Sequence, residues 1–99
     1  MTRALEKSIC NQIIRFLKTL PDCWFMRTEG GPYGRKGVPD IVGCLYGKMF
    51  ALEVKRIGGK ATKLQLHELE KIRAAGGRTG IVHSVDEVKE VLRIPNDID

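Results

Sequence analysis

The chain has 99 residues, of which 42% are hydrophobic and 29% charged, and its formal net charge is +5. This length suits one small domain, and the hydrophobic fraction argues against a disordered chain. No apolar run approaches the roughly 18 residues of a membrane span, and the start MTRALEKSIC is charged too early for a signal peptide. Three cysteines without a CxxC or Cys/His cluster argue against a disulfide framework or structural zinc. We therefore expect a soluble, intracellular protein.

Positive charge is concentrated in the middle of the chain. Between Arg27 and Lys63 there are eight Lys or Arg residues and three Asp or Glu, whereas the remainder has nine of each sign. A polyanion such as nucleic acid is the natural partner for this segment, because binding phosphates to cationic side chains releases counterions.

The first predicted element is a helix with Thr2 as N-cap that runs to about Leu20, where Pro21 stops it. It is supported by apolar residues at spacings of three and four: Leu5, Ile9, Ile13, Phe16 and Leu20. A strand over residues 23–26 follows, with its aromatic residues assigned to the core. These are Trp24 and Phe25.

Residues 28–37 contain four glycines and a proline and are predicted to form a mobile loop. Two strands follow, Asp40–Leu45 and Lys48–Lys55, joined by Tyr46 and Gly47 in a tight hairpin. Residues 56–61 form a second loop.

The remainder of the chain predicts two helices around a strand. A capping box at residues 62–65 opens a helix that ends at the glycine pair 76–77. A strand at 79–83 leads to a second capping box at 84–87 and a helix through Leu92. The order α-β-β-β-α-β-α predicts a three-layer α/β unit around a mixed sheet, as a single domain of residues 1–94 with an acidic tail at 95–99.

The hairpin register predicts a chemical centre. If Leu45 faces Lys48 across the turn, Asp40 lies opposite Glu53 at a Cβ separation of ~5 Å. Lys55 is two residues beyond Glu53 and thus on the same side of the sheet.

Two adjacent carboxylates repel each other, and a divalent cation relieves that repulsion. Oxygen ligands with room for water and phosphate suit Mg²⁺ or Mn²⁺ better than zinc. Lys55 would orient or deprotonate an attacking water, or stabilise charge on the phosphate. The alternative is a surface hairpin whose two acids meet by accident and pair with the lysine.

The segments Gly37-Val38-Pro39-Asp40 and Phe50-Ala51-Leu52-Glu53-Val54-Lys55 resemble the signature of PD-(D/E)XK nucleases. More narrowly, the chain resembles the VRR-NUC domain in its stand-alone phage form, which is similar to Holliday junction resolvases. The resemblance implies a restriction-endonuclease-like α-β-α fold and Mg²⁺- or Mn²⁺-dependent hydrolysis of DNA. It also implies a homodimer acting on branched or duplex DNA, and a phage or prophage protein working in the cytoplasm of a bacterial host.

The resemblance also implies supporting site residues. The backbone carbonyl of Val54 would join Asp40 and Glu53 as a metal ligand, and Glu6 matches the first-helix acid of the family. Gln65 matches a glutamine near the metal, although the capping box explains it equally well. An exposed first-turn glutamate favoured by the helix dipole is the alternative for Glu6.

Basic residues around the motif are predicted to contact DNA phosphates: Arg35, Lys36, Arg56, Lys60 and Lys63. The leading hypothesis is a structure-selective DNA endonuclease of the Holliday junction resolvase kind, with no organic cofactor and no membrane partner. A nicking, flap or restriction-type nuclease would use the same chemistry. A non-catalytic nucleic-acid-binding module is the alternative from a different class.

Overall fold

The computed structural model describes residues 2–28 and 35–95 and arranges them as seven elements. These are α1 (Thr2–Leu17), β1 (Cys23–Arg27), β2 (Ile41–Leu45), β3 (Lys48–Val54), α2 (Lys63–Ala74), β4 (Arg78–Val82) and α3 (Val85–Leu92). The predicted order of elements is confirmed. None of the helices in the described ranges is long and apolar enough to cross a membrane.

The strands in the described ranges form one mixed sheet in the spatial order β1-β2-β3-β4. The first three pair antiparallel, and β3 and β4 pair in parallel. Leu45 pairs with Lys48 and Ile41 with Leu52, which confirms the predicted hairpin register. Tyr46 and Gly47 both have positive φ (51° and 81°), as a two-residue hairpin turn of type I′ requires.

The hydrophobic core lies between one face of the sheet and helices α1 and α3. Phe50, Leu52 and Val54 point into it from β3, as the alternation in the sequence predicts. Helix α2 packs against β3 and β4 on the other face, so Ala51 and Glu53 are buried as well. Glu53 therefore lies inside the three-layer structure.

Helix α1 ends earlier than the sequence predicted, at Leu17 instead of Leu20. The N–H of Leu20 donates to the Leu17 carbonyl (3.1 Å), a tighter turn than the α-helix. The physical reason is Pro21, which disfavours helical conformation at the residue before it. Of the predicted apolar face, Leu5 is exposed, whereas Ile13 is buried and three others pack against the core: Ile9, Phe16 and Leu20. The buried line on α1 is Cys10, Ile13 and Leu17.

Strand ends differ from the predicted ones by one residue. β1 continues to Arg27, β2 begins at Ile41 instead of Asp40, and β3 ends at Val54 instead of Lys55. β4 covers Arg78–Val82, one residue earlier than predicted. Most of the predicted glycine-rich loop, residues 29–34, and the end of the acidic tail, residues 96–99, lie outside the described ranges.

The two predicted capping boxes have different outcomes. At α2 the box is complete, since Thr62 Oγ1 accepts from the Gln65 N–H (3.1 Å) and Gln65 Oε1 accepts from the Thr62 N–H (2.8 Å). At α3 it is half formed. Ser84 Oγ accepts from the Glu87 N–H (3.2 Å), but Glu87 Oε1 accepts from the His83 N–H (2.7 Å), one residue before the N-cap.

Part of the α2 side of the sheet is uncovered, and there the core assignment of Trp24 is wrong: its side chain is 62% exposed. Phe25, on the opposite face of β1, does pack against the core. Helix α2 covers only the β3 and β4 side of this face, so apolar side chains towards β1 and β2 remain at least partly exposed to solvent. We call five residues in adjacent cross-strand rows the open sheet face: Trp24, Cys44 and Met49, then Met26 and Val42.

Candidate metal centre

Asp40 lies one residue before β2 and is held by hydrogen bonds to the segments on both sides of it. The Thr28 N–H donates to the Asp40 carbonyl (2.9 Å), and Thr28 Oγ1 donates to the Pro39 carbonyl. On the other side, Asp40 Oδ2 accepts a hydrogen bond from the backbone N–H of Val54 (2.8 Å). These contacts fix the Asp40 carboxylate at the end of β3.

Glu53 and Lys55 complete a cluster of charged groups at this strand end. The Glu53 side chain is 1% exposed, and Lys55 Nζ lies 3.5 Å from its Oε2 atom. Glu53 Oε1 is buried without a hydrogen-bond partner in the described structure. Thus Asp40, Glu53 and Lys55 do come together, and the paired ladder ends at Ile41 and Leu52, one residue short of Asp40 and Glu53.

The environment of Glu53 disfavours its charged form. Burial is the main cause and the negative charge of Asp40 the second, and together they raise the pKa of Glu53 to about 8. Lys55 acts in the opposite direction without compensating for them. A cation bound between the carboxylates would neutralise the repulsion and satisfy the orphaned oxygen. The all-oxygen donor set fits Mg²⁺ or Mn²⁺.

Glu6 is close to this pair without joining it. It lines a cavity of about 240 Å³ together with Asp40 and Val54. A Cβ placed on Gly59 would lie 3.4 Å from Glu6 Oε2, so this carboxylate borders the loop that follows β3. Within residues 2–28 and 35–95, no three His, Cys, Asp or Glu side chains are near enough to form a metal site on their own. Glu6 thus shares the cavity but not the carboxylate cluster.

Gln65 is placed at the start of α2 by its capping box. Its side-chain oxygen accepts from the Thr62 N–H, and no hydrogen bond joins it to Asp40 or Glu53. The structure therefore shows Gln65 in its capping role.

The predicted DNA-binding residues have several different environments. Arg35 is exposed and forms an ion pair with Glu68 of α2. Arg56 Nη1 donates to the Ile57 carbonyl (3.2 Å), while its Nε is buried without a partner in the described structure. The other three side chains are exposed: Lys36, Lys60 and Lys63.

Two cations at the cavity were missed by sequence reasoning. Lys7 and Arg27 line it together with Glu6 and Asp40, and Arg27 Nη1 donates to Asn11 Oδ1 at 3.4 Å. In the sequence Arg27 contributes only to the charge count. The signal that would have found it is its pairing with Ile41, which places it beside Asp40 once β1 is aligned with β2.

Comparisons with known proteins agree with this architecture. No protein-family model matches the sequence, and no curated protein matches it either. A solved structure described as a VRR_NUC domain superposes with a TM-score of 0.72 at 24% identity, covering 91% of this chain and 96% of the other. The chain therefore has the fold of a VRR_NUC domain, as the motif resemblance implied.

Proposed function

We propose that this protein is a divalent-cation-dependent nuclease that hydrolyses phosphodiester bonds in DNA. The observation that carries the proposal is the Asp40–Glu53 pair beside Lys55, in which Glu53 keeps one buried oxygen unpartnered and has its pKa raised to about 8. A buried carboxylate next to a second acid is costly for stability and is typical of functional sites. The VRR_NUC-like fold supports the same conclusion.

Each residue of the cluster has a proposed role. The carboxylates of Asp40 and Glu53 and the carbonyl of Val54 would hold Mg²⁺ or Mn²⁺, with Glu6 assisting from across the cavity. When bound, the ion supplies charge neutralisation and a more acidic water. Lys55 lies beside Glu53 and would orient the attacking water or stabilise charge on the phosphate. Gln65 would support the site from α2, and the product would carry a 5′-phosphate, as the resemblance implies.

DNA would approach through the basic segments on either side of the cluster. Arg35 and Lys36 precede Asp40 in the chain, and three further cations follow Lys55: Arg56, Lys60 and Lys63. Arg35 would exchange its ion pair with Glu68 for a phosphate. Reversing the charges of Arg35 and Lys36 together should weaken DNA binding and flatten its dependence on salt. Unchanged affinity and unchanged salt slope would exclude these two residues from the interface.

A homodimer is the proposed working form, because one centre cuts one strand and resolving a branched DNA takes two coordinated cuts. The open sheet face is our candidate interface, since its five residues are uncharged in a chain of net charge +5. Two copies can meet there without opposing like charges. Trp24→Lys should shift the sedimentation coefficient to that of a monomer, whereas Tyr46→Lys, at the exposed hairpin turn, should not. Wild-type protein that sediments as a monomer contradicts the dimer.

The substrate is tested by a panel of labelled DNAs: a four-way junction, a flap, a nicked duplex and a linear duplex, each with Mg²⁺, with Mn²⁺ and with EDTA. We expect cation-dependent cleavage, with the four-way junction cut fastest. Preference for the nicked duplex, flap or linear duplex identifies the other nuclease types. Binding of these DNAs without cleavage of any would overturn the proposal in favour of a non-catalytic binding module.

A further inference from the structure

The cavity beside Asp40 is lined by two cations, Lys7 and Arg27, and Arg27 has no acidic partner in the described part of the chain. Lys55 is occupied by Glu53, its ion-pair partner at 3.5 Å. Arg27 lines the same cavity as Asp40, and within the described part of the chain no ion pair joins Arg27 to a carboxylate. Its charge therefore remains available to a ligand that enters the cavity.

The backbone holds Arg27 next to Asp40. Arg27 is the last residue of β1 and pairs with Ile41. The next residue, Thr28, donates through its N–H to the Asp40 carbonyl and through its hydroxyl to the Pro39 carbonyl. The separation of Arg27 from Asp40 is thus set by the sheet and by these bonds. Groups fixed on strands keep the precise geometry that a reacting phosphate needs.

Asn11 of α1 fixes the orientation of the guanidinium. Its Oδ1 atom accepts from Arg27 Nη1 at 3.4 Å. Asn11 is uncharged, so this contact orients the guanidinium without neutralising it. The remaining N–H groups form the planar fork with which arginine binds two oxygens of one phosphate.

From this geometry we propose that Arg27 is a catalytic residue that contacts the phosphate of the cleaved strand, and that Asn11 is its positioning residue. The proposal rests on the nuclease function proposed above. Its chemical reason is charge: a phosphodiester under attack gains negative charge, and a preorganised cation beside Asp40 stabilises it.

The test compares single-turnover cleavage by wild-type protein, Arg27→Ala, Arg27→Lys and Asn11→Ala. Arg15→Ala, which removes the same charge from an exposed position on α1, is the matched control. We expect Arg27→Ala to cut about 100-fold more slowly. Arg27→Lys should recover part of the rate, because lysine keeps the positive charge and the folded structure but lacks the planar pair of N–H donors. Asn11→Ala should have a smaller effect that disappears in the Arg27→Ala background.

A binding measurement separates phosphate contact from a merely structural role. In the Lys55→Ala background, DNA with one methylphosphonate at the mapped cleavage position should bind more weakly than unmodified DNA. Adding Arg27→Ala should remove this discrimination and lower the salt slope by about one. Wild-type rates in Arg27→Ala and Arg27→Lys, or discrimination that persists without Arg27, would overturn the role of Arg27 alone. A wild-type protein that cuts no DNA would overturn it together with the nuclease proposal.

Discussion

The backbone N–H of Val54 donates a 2.8 Å hydrogen bond to Asp40 Oδ2, so that β3 itself positions the first carboxylate of the candidate metal centre. The residue before Val54 is Glu53, and the residue after it is Lys55. A single strand end thereby supplies the second carboxylate, the lysine and the donor that orients Asp40. This arrangement explains why three charged groups converge in so small a protein.

The Asp40–Val54 hydrogen bond can be tested by comparing two substitutions. Asp40→Asn keeps a side-chain oxygen that can accept from Val54, whereas Asp40→Ala leaves this part-buried N–H without its partner. We expect Asp40→Ala to be about 1–3 kcal/mol less stable than Asp40→Asn. The measurement is urea denaturation at pH 5 in EDTA, where Glu53 is protonated and its repulsion does not contribute. Equal stability of the two variants would show that this hydrogen bond does not stabilise the site.

The raised pKa of Glu53 predicts how the stability of the metal-free protein depends on pH. The pKa in the folded protein is about 8, above the ordinary value of 4.5. Between these values the folded state keeps a proton that the unfolded chain has lost. The contribution of Glu53 to stability should therefore be full below about pH 4.5 and be lost as the pH rises through 8, by about 1.4 kcal/mol per unit of the shift.

Glu53→Gln is the control for this pH dependence, since it keeps the shape of the side chain and cannot ionise. In EDTA the free energy of unfolding of Glu53→Gln minus that of wild type should rise between pH 5 and pH 8.5. A difference that stays constant over this range would show that Glu53 is ionised normally.

The affinity for the metal ion should depend on the same ionisation of Glu53, but it should rise with pH where stability falls. The ion requires ionised Glu53, so its apparent affinity should increase up to about tenfold per pH unit below pH 8 and level off above it. Calorimetry in two buffers of different ionisation enthalpy should detect proton release on Mn²⁺ binding at pH 7. Affinity that does not change between pH 6 and pH 8 would be incompatible with Glu53 as a ligand.

Gly37 is expected to be required for the position of the Pro39–Asp40 segment. Its φ is +82°, and a Cβ there would lie 2.6 Å from Leu64 Cγ of α2. Gly47 is a matched control, with φ of +81° and nothing within 4 Å of its Cβ position. Both Gly→Ala changes should cost about 1 kcal/mol of backbone strain. Only Gly37→Ala should also slow cleavage, and equal cleavage rates in the two variants would refute this role.

Much of the fold follows from local sequence signals. The spacing of apolar residues and the punctuation by glycine and proline predict every helix and strand of the described ranges to within a few residues. The two-residue turn at Tyr46–Gly47 fixes the hairpin register, and with it the meeting of Asp40 and Glu53. These features depend on neighbours in the chain, which is why they can be predicted from it.

Features that depend on distant contacts were not predictable in this way. Trp24 looks like a core residue in its apolar run, but its exposure depends on where α2 packs. Arg27 reaches the cavity because β1 aligns with β2 and Asn11 lies above it on α1. The burial of Glu53, and hence its raised pKa, likewise depends on layers contributed by other parts of the chain.

The most direct test of the proposed function is cleavage of a labelled four-way junction by pure Lys55→Ala protein beside wild type in Mg²⁺. We expect wild type to cut the junction. The variant should lose cleavage while keeping its fold, its affinity for the junction and its affinity for Mn²⁺, because Lys55 acts on the reacting groups. Cleavage by Lys55→Ala at the wild-type rate would contradict the assignment of this cluster as the catalytic centre.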